Sequence, residues 1–415
     1  MWGAEGRASE VLAEARRAFW DAYGALVAAT REDPGLDAPR EALVELLLDR
    51  AAELRAGGDR DGALDLEAIA RQHDPERVAE RLDRAIRVDL DIDPVPERVT
   101  VARFVTHGPV LREQIDPRLA PRDTRLALPP GDYVLTLSAR ERAELRLPLS
   151  LAPRAPARRI TLRLPHASEL AEGFVLVPGG TWRIGGDRAV AGAEGSRLVE
   201  LWPFAIGRHL VTVREYARFL DHLAARDPAL AQKHVPSLRG MPCWLPEKDG
   251  HYRAPYVDAN DGDTVDAELP ITMLAVDDAV AYAAWAARET GLALRLPTSE
   301  EWEVAARGGL ERAYVWGDGF DPTLCWMRES PGPMRPHPVG TAPFDRSVFG
   351  VLDMAGNVRE ATSSRVLRAG HVMSVVRGGA WQSPPDQCRI GRRAFTFPDR
   401  QEVTVGFRLA YSVAP

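Results

Sequence analysis

Leu296-Pro297-Thr298-Ser299-Glu300-Glu301-Trp302-Glu303, continued by Ala306-Arg307-Gly308-Gly309, is the stretch from which the C-terminal fold is read. Thr298 placed three residues before Glu301 is a capping box, so a helix starts here and its first amides are satisfied by side chains. Trp302 then faces inward. Further along, Arg377-Gly378-Gly379-Ala380-Trp381 ends a short strand with two glycines, which permit positive φ or a close backbone approach. Around these blocks the chain from about Glu169 onward is rich in Gly, Pro and Trp, and holds every tryptophan except Trp2 and Trp20. Loop-dominated, aromatic-rich sequence of this kind implies an α+β domain. Two amphipathic helices stand out in it, Val213 to Ala225 and Val276 to Thr290, the second starting at an Asp277-Asp278 cap.

Working back toward the N-terminus, the hydrophobic period changes twice. Ser9 to Ile86 has helical spacing: Leu12, Ala15, Phe19, Ala22 and Leu26, then Leu43, Leu47, Ala51 and Leu54, with Gly57-Gly58 as a stop. Asp74 followed by Pro75 opens the last helix, with Val78, Leu82 and Ile86 on one face. A period of two takes over at Val88, Leu90 and Ile92. It recurs at Tyr133, Leu135 and Leu137, at Leu145 to Leu151, and at Ile160 to Leu164. The expected organisation is a helical bundle or spacer (1–86), a small antiparallel, sandwich-like β module (87–168) and the α+β domain (169–415). Leu128-Pro129-Pro130-Gly131-Asp132-Tyr133 resembles the PEGA-type β repeat of bacterial surface and signalling proteins.

Composition removes several function classes. The 415 residues carry a net charge of −7, so no basic footprint offers itself to nucleic acid. No apolar run approaches a membrane span, and the N-terminus lacks a signal-peptide pattern, so a cytoplasmic protein without membrane insertion is expected. Cys243, Cys325 and Cys388 are sparse and odd in number, which fits a reducing compartment and excludes paired-thiolate zinc motifs. GxxxxGKS/T, GxSxG, HExxH and the protein-kinase signatures are all absent.

Six blocks carry a family resemblance. Phe174-Val175-Leu176-Val177-Pro178-Gly179-Gly180-Thr181, the Leu296 block with its Ala306 continuation, Trp316-Gly317, Asp353-Met354-Ala355-Gly356-Asn357-Val358, Arg377 to Trp381 and Gly406-Phe407-Arg408 follow one another in the order of the formylglycine-generating enzyme, or sulfatase-modifying factor, family. The chain resembles that family over residues 170–412. The resemblance implies an elaborated C-type-lectin-like fold and a copper(I) oxidase that converts a cysteine of a Cys-Xaa-Pro-Xaa-Arg segment to formylglycine.

The same resemblance exposes departures. Family enzymes hold copper(I) with two cysteines five residues apart after the Arg-Gly-Gly block. Cys388 matches the second, the one candidate catalytic residue, but Ser383 stands at the first. A hard, neutral hydroxyl does not replace a thiolate for copper(I). Copper is therefore not expected, and Cys388 alone reads as a small buried hydrophobe. Cys243 or Cys325 could fold beside it, though nothing local requires this. A family calcium site maps onto Asp353, Gly356, Val358 and Glu360, which makes calcium the cofactor the resemblance allows. A second calcium site is lost, with Leu324 where Asn is needed. Arg359 stands where the family has Trp, and the HxxxH spacing of the iron-dependent sulfoxide synthases is missing. The expected function is a non-catalytic binding, scaffold or sensor module for a protein or peptide partner in bacterial signalling, with Trp381, Arg389, Arg392, Arg393 and Phe395 as its ligand surface. The alternatives are internal pairing of those arginines and an active formylglycine-generating oxidase.

Overall fold

The computed structural model describes residues 2–57, 59–119, 124–187, 189–190, 192–238, 240–247, 250–252 and 266–414. Asp258, Asp261 and Asp263 of an acidic run lie outside these. The chain forms two compact units, one of residues 1–87, 127–131 and 151–158, the other of 88–126, 132–150 and 159–415.

The first unit is built on four helices, α1 (Trp2–Glu32), α2 (Asp37–Ala56), α3 (Arg60–His73) and α4 (Pro75–Leu82). Gly57 ends α2, and the Asp74 carboxylate accepts the Arg77 N–H at 3.0 Å to open α4, with Pro75 at its first position. Leu43, Val44, Leu47 and Leu48 of α2 pack with Leu66, Ala70, Val78 and Leu82 as one apolar core.

Seven strands follow: β1 (Ile86–Asp93), β2 (Arg98–His107), β3 (Val110–Ile115), β4 (Arg125–Leu128), β5 (Gly131–Ser138), β6 (Leu145–Leu151) and β7 (Arg158–Arg163). They make sheets of order β4-β1-β7 and β3-β2-β5-β6. Sequence periodicity does not mark β2 and β3, because β3 has no buried residue and only Val101 and Ala102 of β2 are buried. Within the second unit these strands are tied to the C-terminal part. Leu111 donates its N–H to the Trp316 carbonyl at 2.6 Å, Arg146 reaches the Val348 carbonyl, and Phe104 lies 5.6 Å beneath the Arg312 guanidinium.

The C-terminal part is mixed α/β: β8 (Phe174–Val177), β9 (Gly180–Ile184), β10 (Arg197–Leu201), β11 (Phe204–Gly207), α5 (Val213–Ala224), α6 (Pro228–Lys233), β12 (Ser237–Leu238), β13 (Met241–Pro242), α7 (Val276–Thr290), α8 (Ser299–Arg307), β14 (Arg359–Arg368), β15 (His371–Arg377), β16 (Arg393–Thr396), β17 (Val405–Gly406) and β18 (Ala410–Ser412). The sheet β18-β11-β8 joins the beginning and end of this part, and β16-β15-β14-β17 carries the candidate site at the end of β15. The expected capping box is present at α8, where Thr298 Oγ1 accepts the Glu301 N–H at 3.0 Å and Glu301 accepts the Thr298 N–H at 2.8 Å. In α7 the cap differs from expectation. Ala275 precedes the helix, and Asp278 in its first turn accepts the Ala275 N–H. Trp182, Trp302, Tyr314, Trp316, Met354, Cys325 and Cys388 share one core. Among the described residues no helix is long and apolar enough to cross a membrane.

Candidate functional site

The site begins where β15 ends. Gly378 has φ +70°, and Gly379 donates its N–H to the Ala355 carbonyl at 2.8 Å, bringing two chain segments side by side. A Cβ at Gly379 would stand 2.4 Å from Cys388 Sγ, and one at Gly356 would stand 3.0 Å from Cys325 Sγ and 2.3 Å from the Trp326 carbonyl oxygen. Both glycines are therefore required by close approach to a sulfur. The two thiols share one apolar core, each close to one of these glycines. Burial, and then the neighbouring Cys388, push the Cys325 thiol well above its ordinary value. Cys325, 63 residues before Cys388 in sequence, is thus the cysteine that comes beside it. Cys243 lies elsewhere, half-buried, with Sγ 3.4 Å from Met273 Sδ.

Ser383 is 1% exposed and its hydroxyl is already engaged. It accepts the Ala380 N–H at 3.0 Å, while Ser383 returns its own N–H to the Ala380 carbonyl. Arg359 reaches in from β14. Its Nη2 donates to Gln387 Oε1 at 2.6 Å and approaches Ser383 Oγ at 3.4 Å. Burial, and secondarily Arg392, pull this guanidinium below its ordinary range. Among the described residues no carboxylate lies within ion-pair distance of it. The Arg-for-Trp departure thus sets a cation at the edge of the thiol pair.

Two of the residues expected to hold calcium are carboxylates with protein partners in the folded chain. Both Glu360 oxygens are taken by Arg408, Nε to Oε2 at 2.5 Å and Nη2 to Oε1 at 2.9 Å, and both side chains are buried. Asp353 Oδ2 accepts the Gly340 N–H at 2.6 Å, whereas Oδ1 has no partner. Among the described residues no group of three or more His, Cys, Asp or Glu side chains is placed to hold a metal. The loop carrying Gly356 and Val358 is organised by a carboxylate outside the expected set. Asp345 accepts N–H bonds from Met354, Ala355 and Gly356 at 2.9 to 3.1 Å. Burial lifts Asp345 to about 7 and Asp353 to about 6, outweighing the opposing pull of the N–H donors. No local motif marks Asp345, which acts through backbone amides nine to eleven residues away.

Trp381 is 8% exposed and packs on Leu210, Val358 and Ala380. Arg389 forms two 2.8 Å bonds to Asp187 and lies over Tyr314, and Arg393 pairs with Glu194. Phe395 is covered by Arg368 at 4.2 Å and Arg393 at 5.6 Å. The Arg392 carbonyl accepts from Arg377. Asp187 and Glu194, in the connection between β9 and β10, therefore pair two of the expected binding arginines internally.

A family model described as the sulfatase-modifying factor enzyme 1-like domain matches residues 161–413. The chain belongs to this family. Members similar to it include an inactive C-alpha-formylglycine-generating enzyme 2 of Mus musculus, 34% identical over 60% of this chain and 89% of the relative. A formylglycine-generating enzyme of Thermomonospora curvata is 30% identical over 58% of this chain and 94% of its own length. A hercynine oxygenase of Mycolicibacterium smegmatis is 29% identical over 58% and 61%. Among solved structures, PvdO from Pseudomonas aeruginosa covers 58% of this chain and 94% of its own at 23% identity, with a TM-score of 0.45.

Proposed function

We propose that this chain is a non-catalytic sulfatase-modifying factor family protein whose C-type-lectin-like domain serves as a binding scaffold for a protein or peptide partner. The carrying observation is Ser383. The family's first copper sulfur is replaced by a hydroxyl that accepts the Ala380 N–H and faces Arg359. A hydroxyl in that position does not bind copper(I) in place of a thiolate. Cys388 is fully buried, so a substrate thiol has no open path to its sulfur. Relatives of 34% and 31% identity in mouse and cattle are named inactive, which supports the same reading.

The second reading, an active copper oxidase, is favoured by Cys325, which lies beside Cys388. Thiol accessibility separates the two. A bulky maleimide applied to the native chain should label Cys243 and leave Cys325 and Cys388 unmodified, with all three reacting after denaturation. Labelling of native Cys388 at the rate of Cys243 would mean an open nucleophile and sink the non-catalytic reading.

A further inference from the structure

We propose that Arg359 and Gln387 form a subsite for an oxyanion group carried by an acidic peptide partner. The proposal rests on the binding-scaffold reading and names the chemistry of one group that the scaffold takes.

Three observations carry it. The first is the set of hydrogen bonds that the pair leaves open. Arg359 Nη2 donates to Gln387 Oε1 at 2.6 Å and approaches Ser383 Oγ, whereas Nε and Nη1 donate to nothing among the described residues and are not sealed from solvent. A guanidinium offers no acceptor, so Gln387 must turn its oxygen toward Arg359 and its amino group away. That amino group is likewise without a partner among the described residues and open to solvent. Every group that the pair turns outward is therefore an N–H donor, and an oxyanion is the ligand that accepts from such a set.

The second observation is charge. Both direct partners of the half-buried Arg359 are neutral, and the cation of Arg392 acts on it more strongly than the carboxylate of Glu402 does. Glu402 is itself held by Thr396 at 3.0 Å and Arg400 at 3.3 Å. Asp386, the acid next to Gln387 in sequence, is exposed and makes no ion pair with Arg359. A partly desolvated cation without a counter-ion is costly, and an anion placed against it lowers that cost. The third is rigidity. The Arg359 N–H bonds the Thr404 carbonyl at 2.8 Å and the Gln387 N–H bonds the Pro384 carbonyl at 3.0 Å, so the main chain holds both side chains in place before a ligand arrives.

The test is isothermal titration of the full chain with inorganic phosphate at constant ionic strength, repeated with a phosphoserine peptide and the serine peptide of the same sequence. Wild type should take up one equivalent of phosphate, and should bind the phosphoserine peptide more tightly than either the serine peptide or free phosphate. Arg359→Gln should weaken phosphate binding by about 10-fold or more. Gln387→Glu supplies the anion from the chain itself, so it should weaken binding by at least as much while unfolding at no lower temperature than wild type. Arg214→Gln, which removes an exposed arginine paired with Glu268, should bind as wild type. Circular dichroism checks the fold of each variant. No phosphate uptake by folded wild type, or undiminished affinity in either Arg359→Gln or Gln387→Glu, would overturn the proposal. Equal affinity for phosphate and for the phosphoserine peptide would overturn the peptide as the source of the anion. Failure of phosphate binding leaves the non-catalytic reading standing, and oxidation of a peptide thiol contradicts that reading whatever the phosphate affinity.

Discussion

Arg408→Met should cost about 3–5 kcal/mol of folding stability, seen as a lower urea midpoint of the second unit. Arg408 and Glu360 are both fully buried and joined by two hydrogen bonds, and the guanidinium also donates to the carbonyls of Gly207, Arg208, Leu352 and Asp353. The substitution leaves the Glu360 carboxylate without a counter-ion and takes the guanidinium donor from four carbonyls, of which that of Arg208 keeps the Leu352 N–H, and removing one partner of a buried pair is where the penalty is largest. The double variant Arg408→Met/Glu360→Met removes both charges and should recover part of the loss, because the remaining cost is then mainly in the orphaned carbonyls. A single variant within about 1 kcal/mol of wild type would mean that the pair behaves like a solvent-exposed one, and would reopen Glu360 as a ligand.

Trp302→Ala should destabilise by a similar amount, about 3–5 kcal/mol. The indole is completely buried in the main core, with the Arg377 guanidinium 5.2 Å from its ring, and a Cβ at Gly378 would meet it at 3.3 Å. Its removal opens a cavity at the junction of α8 and β15, directly behind the Gly378-Gly379 turn. The loss should also raise maleimide reactivity of Cys388, because that turn forms one wall of the thiol pair. Full retention of stability would show that α8 does not anchor the turn.

Much of the architecture was legible from local signals. Thr298 with Glu301 marks a helix start because the capping bonds are made within four residues, and Asp74-Pro75 marks another in the same way. Strands with alternating burial, such as β1 and β6, appear in the pattern, whereas β3 gives no apolar alternation and leaves no trace. The departure at Ser383 was also readable, since it needs only a count from the Arg-Gly-Gly block.

What escaped the sequence is long-range pairing. Nothing near Cys325 indicates Cys388, and nothing near Arg389 indicates Asp187, 202 residues away. The calcium expectation at Asp353 and Glu360 came from the family resemblance, residue by residue. It could not include Arg408, whose cation occupies Glu360, or Asp345, whose carboxylate is spent on three backbone amides. In each case a charged side chain chooses its partner by tertiary proximity, which one-dimensional spacing does not contain.

The decisive measurement is the mass of a Cys-Xaa-Pro-Xaa-Arg peptide after incubation with the full chain, copper(I) and oxygen, beside a metal-only control. The expected result is no conversion of the peptide thiol to an aldehyde above that control, even where copper is bound. Repeated turnover to the aldehyde, lost in Cys388→Ser, would contradict the non-catalytic assignment and make the Cys325–Cys388 pair a working oxidase site.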